Sequence, residues 1–204
     1  MAKNATPSAR TPACTLQIRR YREATQGDPH PVGFIDIYQS PVTASATPSA
    51  TIPNNAGPMG LVQPEGLDFD SNDNLYASDY VSVNRFAPPF GTTSIPTATV
   101  PRDNEDGYQL LVNSADWVFV TNFSGRGTVD VFKQPFSSTS SPAFTVQVTN
   151  DRTIVRGLDF DGSGNLWAVD ERGGIWEVRP PFSGSSTATL VLTVPGGYGI
   201  AFGP

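Results

Sequence analysis

The residues best suited to chemistry are carboxylates that recur at matching places in the chain. Asp68 lies within residues 66–70, and Asp159 lies at the same place in the closely similar residues 157–161. Two carboxylates brought together can act as a general acid and base or bind Ca²⁺. A catalytic residue needs to occur only once, however. The repetition therefore favours a structural role, in which each aspartate accepts hydrogen bonds from a neighbouring element.

A second candidate site consists of the residues that lead into these segments. Glu65 precedes the first segment and Arg156 the second, while Tyr108 and Tyr198 hold the same place in two weaker copies. Two interpretations stay open. Glu65 and Arg156 pair with each other, or all four residues bind a small polar ligand. These four are the candidate ligand-binding residues, and no catalytic or metal-ligating residue is predicted.

Several other chemistries are excluded by composition. The chain has one histidine, His30, and one cysteine, Cys14, so it contains neither a multi-histidine metal site nor an internal disulfide. Thirteen basic residues against nineteen acidic ones give a net charge of −6, which argues against nucleic-acid binding. No apolar run reaches the ~18 residues needed to span a bilayer. We predict no cofactor and no membrane span.

The candidate residues are positioned by a repeat. A strand-like segment recurs four times, and its copies alternate apolar and polar residues with period 2, as in residues 128–132. The last residues of the copies, 48, 46 and 46 positions apart, are Tyr38, Phe86, Phe132 and Val178. Turn chemistry at residues 70–74 and 161–165 separates further strands. Each unit therefore holds about four short strands, which is the spacing of a β-propeller blade.

The motif Gly-Leu-Asp-Phe-Asp-x-x-x-Asn-Leu-[Tyr/Trp]-Ala-x-Asp, followed by Gly-x-Val-x-Val-Phe, resembles the NHL-type repeat over about residues 33–203. The resemblance implies an all-β propeller and, more distantly, similarity to the regucalcin and gluconolactonase propellers. In gluconolactonase-like proteins a glutamate at the place of Glu65 is a ligand of a divalent metal, joined by Asn and Asp from other blades. The match stops at Glu65, because Arg156 stands where another ligand is wanted and a cation disfavours a metal ion.

Chain length limits the architecture to about four blades of this size. The repeat ends on a first strand, at residues 198–202, and the upstream segment 14–19 is the candidate for a second strand. We therefore predict a ring closed by strand sharing between the terminal segments, with an open blade array completed by a neighbouring chain as the alternative. Residues 1–32 are predicted to be a flexible or arm-like segment, part of which can add a strand, and residues 33–204 the propeller.

Other repeated residues are interpreted as structural. Polar side chains at turns and strand ends are expected to cap local N–H groups; they are Asp70, Asn113, Asp161, Asp79, Asn122 and Asp170. Aromatic residues after prolines are expected to pack under loops between outer strands; they are Phe90, Phe136 and Phe182.

The function predicted from the sequence is that of a non-enzymatic binding or assembly module. Its partner would be another protein or a second copy, recruited by the N-terminal arm or by an unfinished sheet edge. The alternative is a metal-dependent hydrolase or lactonase resembling gluconolactonase, which depends on Glu65 alone. Scarce lysine and cysteine, with many Ser, Thr and Pro residues, favour an extracellular setting.

Overall fold

The structure is a computed structural model that describes residues 14–20, 33–39, 43–53, 61, 64–102, 109–122, 127–149, 153–197 and 199–202. Of residues 14–20 and of Gln39 it describes the backbone. Within these ranges the chain forms fifteen β-strands in four antiparallel sheets, which we call blades 1 to 4. The prediction of an all-β fold is confirmed.

Blade 1 has the strand order β1-β2-β3, and its strands are β1 (Cys14–Arg20), β2 (Gly33–Gln39) and β3 (Ala50–Ile52). Blade 2 consists of β4 (Gly66–Phe69), β5 (Leu75–Ser78), β6 (Ser82–Phe86) and β7 (Ala98–Pro101). Blade 3 consists of β8 (Leu110–Val112), β9 (Val118–Thr121), β10 (Thr128–Phe132) and β11 (Phe144–Gln147). Blade 4 consists of β12 (Val155–Phe160), β13 (Leu166–Asp170), β14 (Gly174–Val178) and β15 (Ala188–Thr193).

Three of the four sheets therefore have the predicted four strands in sequential order. Blade 1 has three described strands, and they correspond to the second, third and fourth strands of the other blades, because β2 occupies the repeat position of β6, β10 and β14. β1 includes the upstream segment for which the sequence indicated a strand. It pairs with β2 in a register that begins with Cys14 opposite Gln39 and ends with Arg20 opposite Gly33.

The core lies between adjacent blades, as expected of sheets stacked face to face. Between blades 1 and 2, the fully buried side chains include Ile35, Ile52, Leu75 and Phe86. Between blades 2 and 3 they include Tyr76, Val83, Leu110, Val118 and Phe132. Between blades 3 and 4 they include Phe119, Val129, Val146, Leu166 and Val178. Blades 2 and 3 thus contribute apolar side chains to a core on both faces, and blades 1 and 4 to one core each.

The sequence-based prediction of a first strand at residues 198–202 is wrong for the part that the structure describes. Residues 199–202 form no strand ladder, and Tyr198 lies outside the described residues. In the part of the chain that is described, β1 forms backbone hydrogen bonds with β2 and none with residues 199–202. Closure of the ring by strand sharing therefore stays a prediction.

Candidate interaction site

The polar turn residues have the capping role that the sequence predicted. Asp70 Oδ1 accepts the backbone N–H groups of Asn72 and Asn74, both at 2.9 Å, and Asp161 Oδ1 does the same for Ser163 and Asn165. The second oxygen of Asp161 accepts Asn165 Nδ2 and Trp167 Nε1. Burial works against the charge, but these hydrogen bonds outweigh it and lower the pKa of Asp161 to about 2. The carboxyl group is therefore an anion at neutral pH and holds its turn through these hydrogen bonds.

Two of the three strand-end residues are used in the same way. Asp79 Oδ1 accepts N–H groups of Val81 and Ser82, and Asp170 Oδ1 accepts those of Arg172 and Gly174. Their second oxygens accept Asn84 Nδ2 and Trp176 Nε1, so both oxygens of each carboxylate serve local structure. For Asn122 the prediction is wrong, because its side chain donates to Thr128 Oγ1 and accepts from Arg102.

Asp68 joins the inner strands of blades 2 and 3. Its Oδ1 accepts the N–H of Phe69 at 2.8 Å, and its Oδ2 accepts the N–H of Val112, on β8, at 2.7 Å. Desolvation by burial raises the pKa of Asp68 to about 6; the negative charge of Asp159 adds to the rise, and the two N–H groups oppose it. The prediction of an aspartate that accepts a hydrogen bond from a neighbouring blade is confirmed.

Asp159 repeats this arrangement at the end of the row of blades. Its Oδ1 accepts the N–H of Phe160 at 2.8 Å, and its Oδ2 accepts the N–H of Phe202 at 2.6 Å. Phe202 stands in the C-terminal copy of the motif where Val112 stands in the copy that forms β8. Residues 199–202 therefore occupy, beside blade 4, the place that the inner strand of a following blade would take.

The structure describes two of the four candidate ligand-binding residues. Glu65 comes directly before β4, is half-buried, and its backbone N–H donates to Ser78 O at 2.9 Å. Arg156 lies on β12 and forms an ion pair with Glu171 at 3.6 Å. Tyr108 and Tyr198 lie outside the described residues. The ligand site and the direct pairing of Glu65 with Arg156 both stay predictions.

Among the described residues, no group of three or more His, Cys, Asp or Glu side chains is arranged to hold a metal ion. A search of the same residues finds no helix with the length and apolar character needed to cross a bilayer.

Blades 2 and 3 are also joined by a buried charge pair that the sequence did not indicate. Arg102, just beyond β7, donates to Asp130 Oδ2 at 3.2 Å, to Thr121 O at 3.2 Å and to the side chain of Asn122. The two charged side chains are 4% and 9% exposed. A cleft of about 310 Å³ lies beside the pair, with Phe132 and Ser140 in its wall. Because the guanidinium is already held by three acceptors, the arrangement fastens the blades together.

The face of blade 4 that points away from blade 3 differs from the equivalent faces of blades 2 and 3, which the next blade covers. Val100 and Val146 face Val83 and Val129 across their ladders and are 5% and 0% exposed, whereas Leu192, which faces Ile175 in the same way, is 47% exposed. In blades 2 and 3 these paired residues of the third and fourth strands pack against the next blade. In blade 4 no described sheet covers Leu192.

The next position along the outer strand shows the same difference. Arg102, Val148 and Val194 donate equivalent backbone hydrogen bonds, to Val81, Gly127 and Gly173 respectively. Arg102 is 7% and Val148 is 3% exposed, but Val194 is 46% exposed. Leu190 and Val191 of β15 are half-exposed as well.

We call this surface the open face of blade 4 and define it by Trp167, Ile175, Leu192, Val194 and the adjoining Phe202. Trp167 belongs to it because its ladder position is that of Tyr76, which blade 3 covers in blade 2. The Phe202 ring packs on Trp167 with centroids 5.5 Å apart and is itself 41% exposed. One signal in the sequence could have revealed this face: residues 180–204 contain no charged side chain.

The aromatic residues that follow the prolines pack inward, as predicted. Phe136 is 2% exposed and lies edge-on to Tyr76 of the preceding blade, with ring centroids 5.3 Å apart. Phe182 is half-buried and packs in the same manner on Phe119, at 5.3 Å. Phe90 contacts the core between blades 1 and 2. These residues seal blade interfaces and do not form an exposed recognition row.

No protein family model matches the chain. No curated protein matches it either. Among solved structures, Raptor from Chaetomium thermophilum is similar with a TM-score of 0.58 at 12% identity, over 93% of this chain and 17% of that one. A protein from Lactobacillus plantarum is similar with a TM-score of 0.55 at 14% identity, over 90% of this chain and 53% of that one.

The chain thus spans about half, or less, of the length of these proteins. At this level of identity the similarity concerns the fold alone. Together with the stacked four-stranded sheets, it shows a fold of the β-propeller type.

Proposed function

We propose that this chain is a non-enzymatic β-propeller-type module that mediates protein–protein interaction or self-association. The observation that carries the proposal is the open face of blade 4. There, apolar positions that blades 2 and 3 bury against a neighbour are left 46–47% exposed, at Leu192 and Val194.

The cost of leaving such a surface in water supports the proposal. Burying apolar surface contributes about 25 cal/mol per Å², and neighbouring exposed apolar side chains on a folded protein usually mark a site of association. On the open face, Trp167, Ile175 and Leu192 are held on three strands of one sheet. A rigid, preordered surface of this kind loses little conformational entropy when it is covered.

Three finer features belong to the same proposal. The blade type is that of the NHL repeat, supported by the motif at residues 66–79 and 157–170. The four units form the open blade array that a neighbouring chain completes, supported by the exposure of Leu192 and Val194, which blade 1 would cover in a ring closed by strand sharing. Residues 33–204 form the propeller, and residues 1–32 form an arm that contributes β1.

The place where the chain enters the inner strands is proposed as a second binding site, for a small polar ligand held by Glu65, Tyr108, Arg156 and Tyr198. The support is that one such residue leads into each inner-strand copy. A carboxylate, a guanidinium and two phenols offer both donors and acceptors to a polar ligand.

The proposed protein-binding function can be tested by site-specific photo-crosslinking. A photoreactive phenylalanine analogue is placed at Leu192 on the open face or, as the control, at Ile95, which is 68% exposed in a loop of blade 2. We expect protein adducts, identified by mass spectrometry after irradiation in cells that produce the chain, from position 192 and not from position 95. Absence of adducts from position 192, or equal adducts from both, would contradict the proposal.

A further inference from the structure

The blade interfaces show what kind of surface fits the open face. The equivalent face of blade 2 is covered by the sheet of blade 3, and that of blade 3 by the sheet of blade 4. In both cases the covering surface is the face of another antiparallel sheet, with Phe132 or Val178 of its third strand in the shared core. Continuity with these interfaces therefore calls for a sheet face and not for a helix or a small molecule.

Among the blades that the structure describes, the sheet that could present such a face is blade 1, at the end of the row opposite blade 4. We call the face of blade 1 that points away from blade 2 its backward face. A repeated hydrogen bond identifies the side chains on it: Thr51 donates to Asp36 as Thr99 donates to Asn84 and Thr145 to Asp130, and Asp130 faces the preceding blade. Asp36 is already buried at 3% exposure.

Tyr38 leads to the same conclusion, because it has the repeat position of Phe86 and Phe132, which pack on the preceding blade. Tyr38 is 4% exposed. The backward face of blade 1 is thus covered in the single chain, while the open face of blade 4 is not. Of the blade faces that the structure describes, the one still available in a second molecule is the open face of blade 4 itself.

Charge favours a second copy at this surface. Each chain has a net charge of −6, so two copies repel each other unless they meet at an uncharged surface. Residues 180–204, which supply Leu192, Val194 and Phe202, carry no charge. The acids beside this face are engaged within the chain. Glu177 pairs with Arg179 at 2.9 Å, Asp159 accepts the N–H groups of Phe160 and Phe202, and Asp161 accepts Trp167 Nε1.

We infer that two copies of this chain associate about a two-fold axis by packing their open faces of blade 4 against each other. The inference rests on the proposed function and identifies the partner of that same surface. A two-fold interface is isologous, so each contact of Leu192, Val194 or Phe202 occurs twice, and one self-complementary apolar patch is sufficient. The outcome is a closed dimer, because the association uses up the face on both molecules.

The mass of the purified chain in solution tests the inference. We expect light scattering to give twice the 21.8 kDa chain mass at high concentration, with dissociation on dilution. Leu192→Asp places a charge at the centre of the interface, and the two-fold axis brings two such charges together, so loss of the dimer is expected. Ile95→Asp adds the same charge at an exposed apolar residue elsewhere and should leave the dimer unchanged.

Val194→Asp provides a second, independent disruption, and it should act like Leu192→Asp. Both residues are half-exposed in the single chain, so circular dichroism of the dissociated variants should match that of the wild type. A single-chain mass for the wild type at every concentration overturns the inference, and so does a dimer that survives both substitutions.

Failure of this inference can be distinguished from failure of the proposed function. A wild type with single-chain mass that still crosslinks from position 192 to a different protein overturns the two-fold dimer and supports the interaction module. Single-chain mass with no crosslinked adduct overturns both. Crosslinks from position 192 to residues 188–202 of a second copy support both.

Discussion

Arg102 of blade 2 and Asp130 of blade 3 form a buried ion pair, with 3.2 Å between the guanidinium and the carboxylate. The pair fastens two sheets that otherwise meet through apolar side chains. Taking two charges out of water is costly, so such a pair is stabilising only while both partners are present.

Removal of one partner should therefore be severe. We expect Arg102→Ala to lower the free energy of unfolding by about 3–5 kcal/mol, because Asp130 is left as a buried, uncompensated charge. Urea denaturation followed by tryptophan fluorescence measures the effect. Arg179→Ala is the matched control: its pair with Glu177 is exposed on the arginine side, so the loss of stability should be far smaller than in Arg102→Ala. Equal effects of the two variants would show that the Arg102–Asp130 pair does not stabilise the contact between blades 2 and 3.

Asp68 should make stability fall as the pH rises through the weakly acidic range. Its pKa is about 6 in the folded chain against an ordinary value of 3.8 for an aspartate, so the folded state holds the proton more tightly. That stabilisation is fully present below pH 3.8 and is lost as the pH rises through 6.

The melting temperature of Asp68→Asn, compared with wild type across this range, should lack that decline. A second variant, Asp159→Asn, removes a neighbouring negative charge and should lower the pKa of Asp68 when the carboxyl resonance is titrated by NMR. A pKa of Asp68 that does not move in Asp159→Asn would show that the two carboxyls do not interact.

Asp161 should have the opposite effect at lower pH. Its folded pKa of about 2 lies below the ordinary value of 3.8 for an aspartate, so its contribution to stability is present above pH 3.8 and is lost as the pH falls through 2. We expect Asp161→Ala to be destabilised at neutral pH, with the difference from wild type shrinking in this acid range. Thermal melts at a series of pH values measure it, and a difference that is constant with pH would contradict the assignment.

Gly66 should tolerate no side chain, because the inner strands of blades 2 and 3 approach each other there. A Cβ on Gly66 would lie 2.8 Å from the carbonyl carbon of Gln109 and 2.8 Å from Ser78 Oγ. We expect Gly66→Ala to cost about 1–3 kcal/mol, as overpacking generally does. Gly162→Ala is the control, since a Cβ at Gly162 meets no atom within 4 Å. Equal melting temperatures for the two variants would disprove the close approach.

Metal analysis separates the proposed module from the hydrolase that the gluconolactonase-like resemblance implies. We expect the purified chain to contain no stoichiometric divalent metal, and Glu65→Ala to leave its metal content unchanged. A stoichiometric Ca²⁺ or Zn²⁺ that is lost in Glu65→Ala would instead favour the enzyme.

The sequence predicted the blades well because their signals are local. The alternation around residues 128–132 and the aspartate turns at Asp70 and Asp161 depend on neighbours a few residues away. The Arg102–Asp130 pair could not be predicted in this way, because it joins residues of two blades and depends on how the sheets stack. The open face of blade 4 was missed for a related reason: Leu192 has the same type of side chain whether or not another sheet covers it.

The hydrogen bonds to the two inner-strand aspartates are donated by the main-chain N–H groups of Val112 and Phe202 and not by side chains. A strand held in this way needs no particular side chain for the bond, and the copies that donate it have Leu111 and Ala201 at the aspartate position. Such a joint can form after any blade whose inner strand carries the aspartate. Lengthening an array by duplication of such a blade would then require no new side chain for this hydrogen bond.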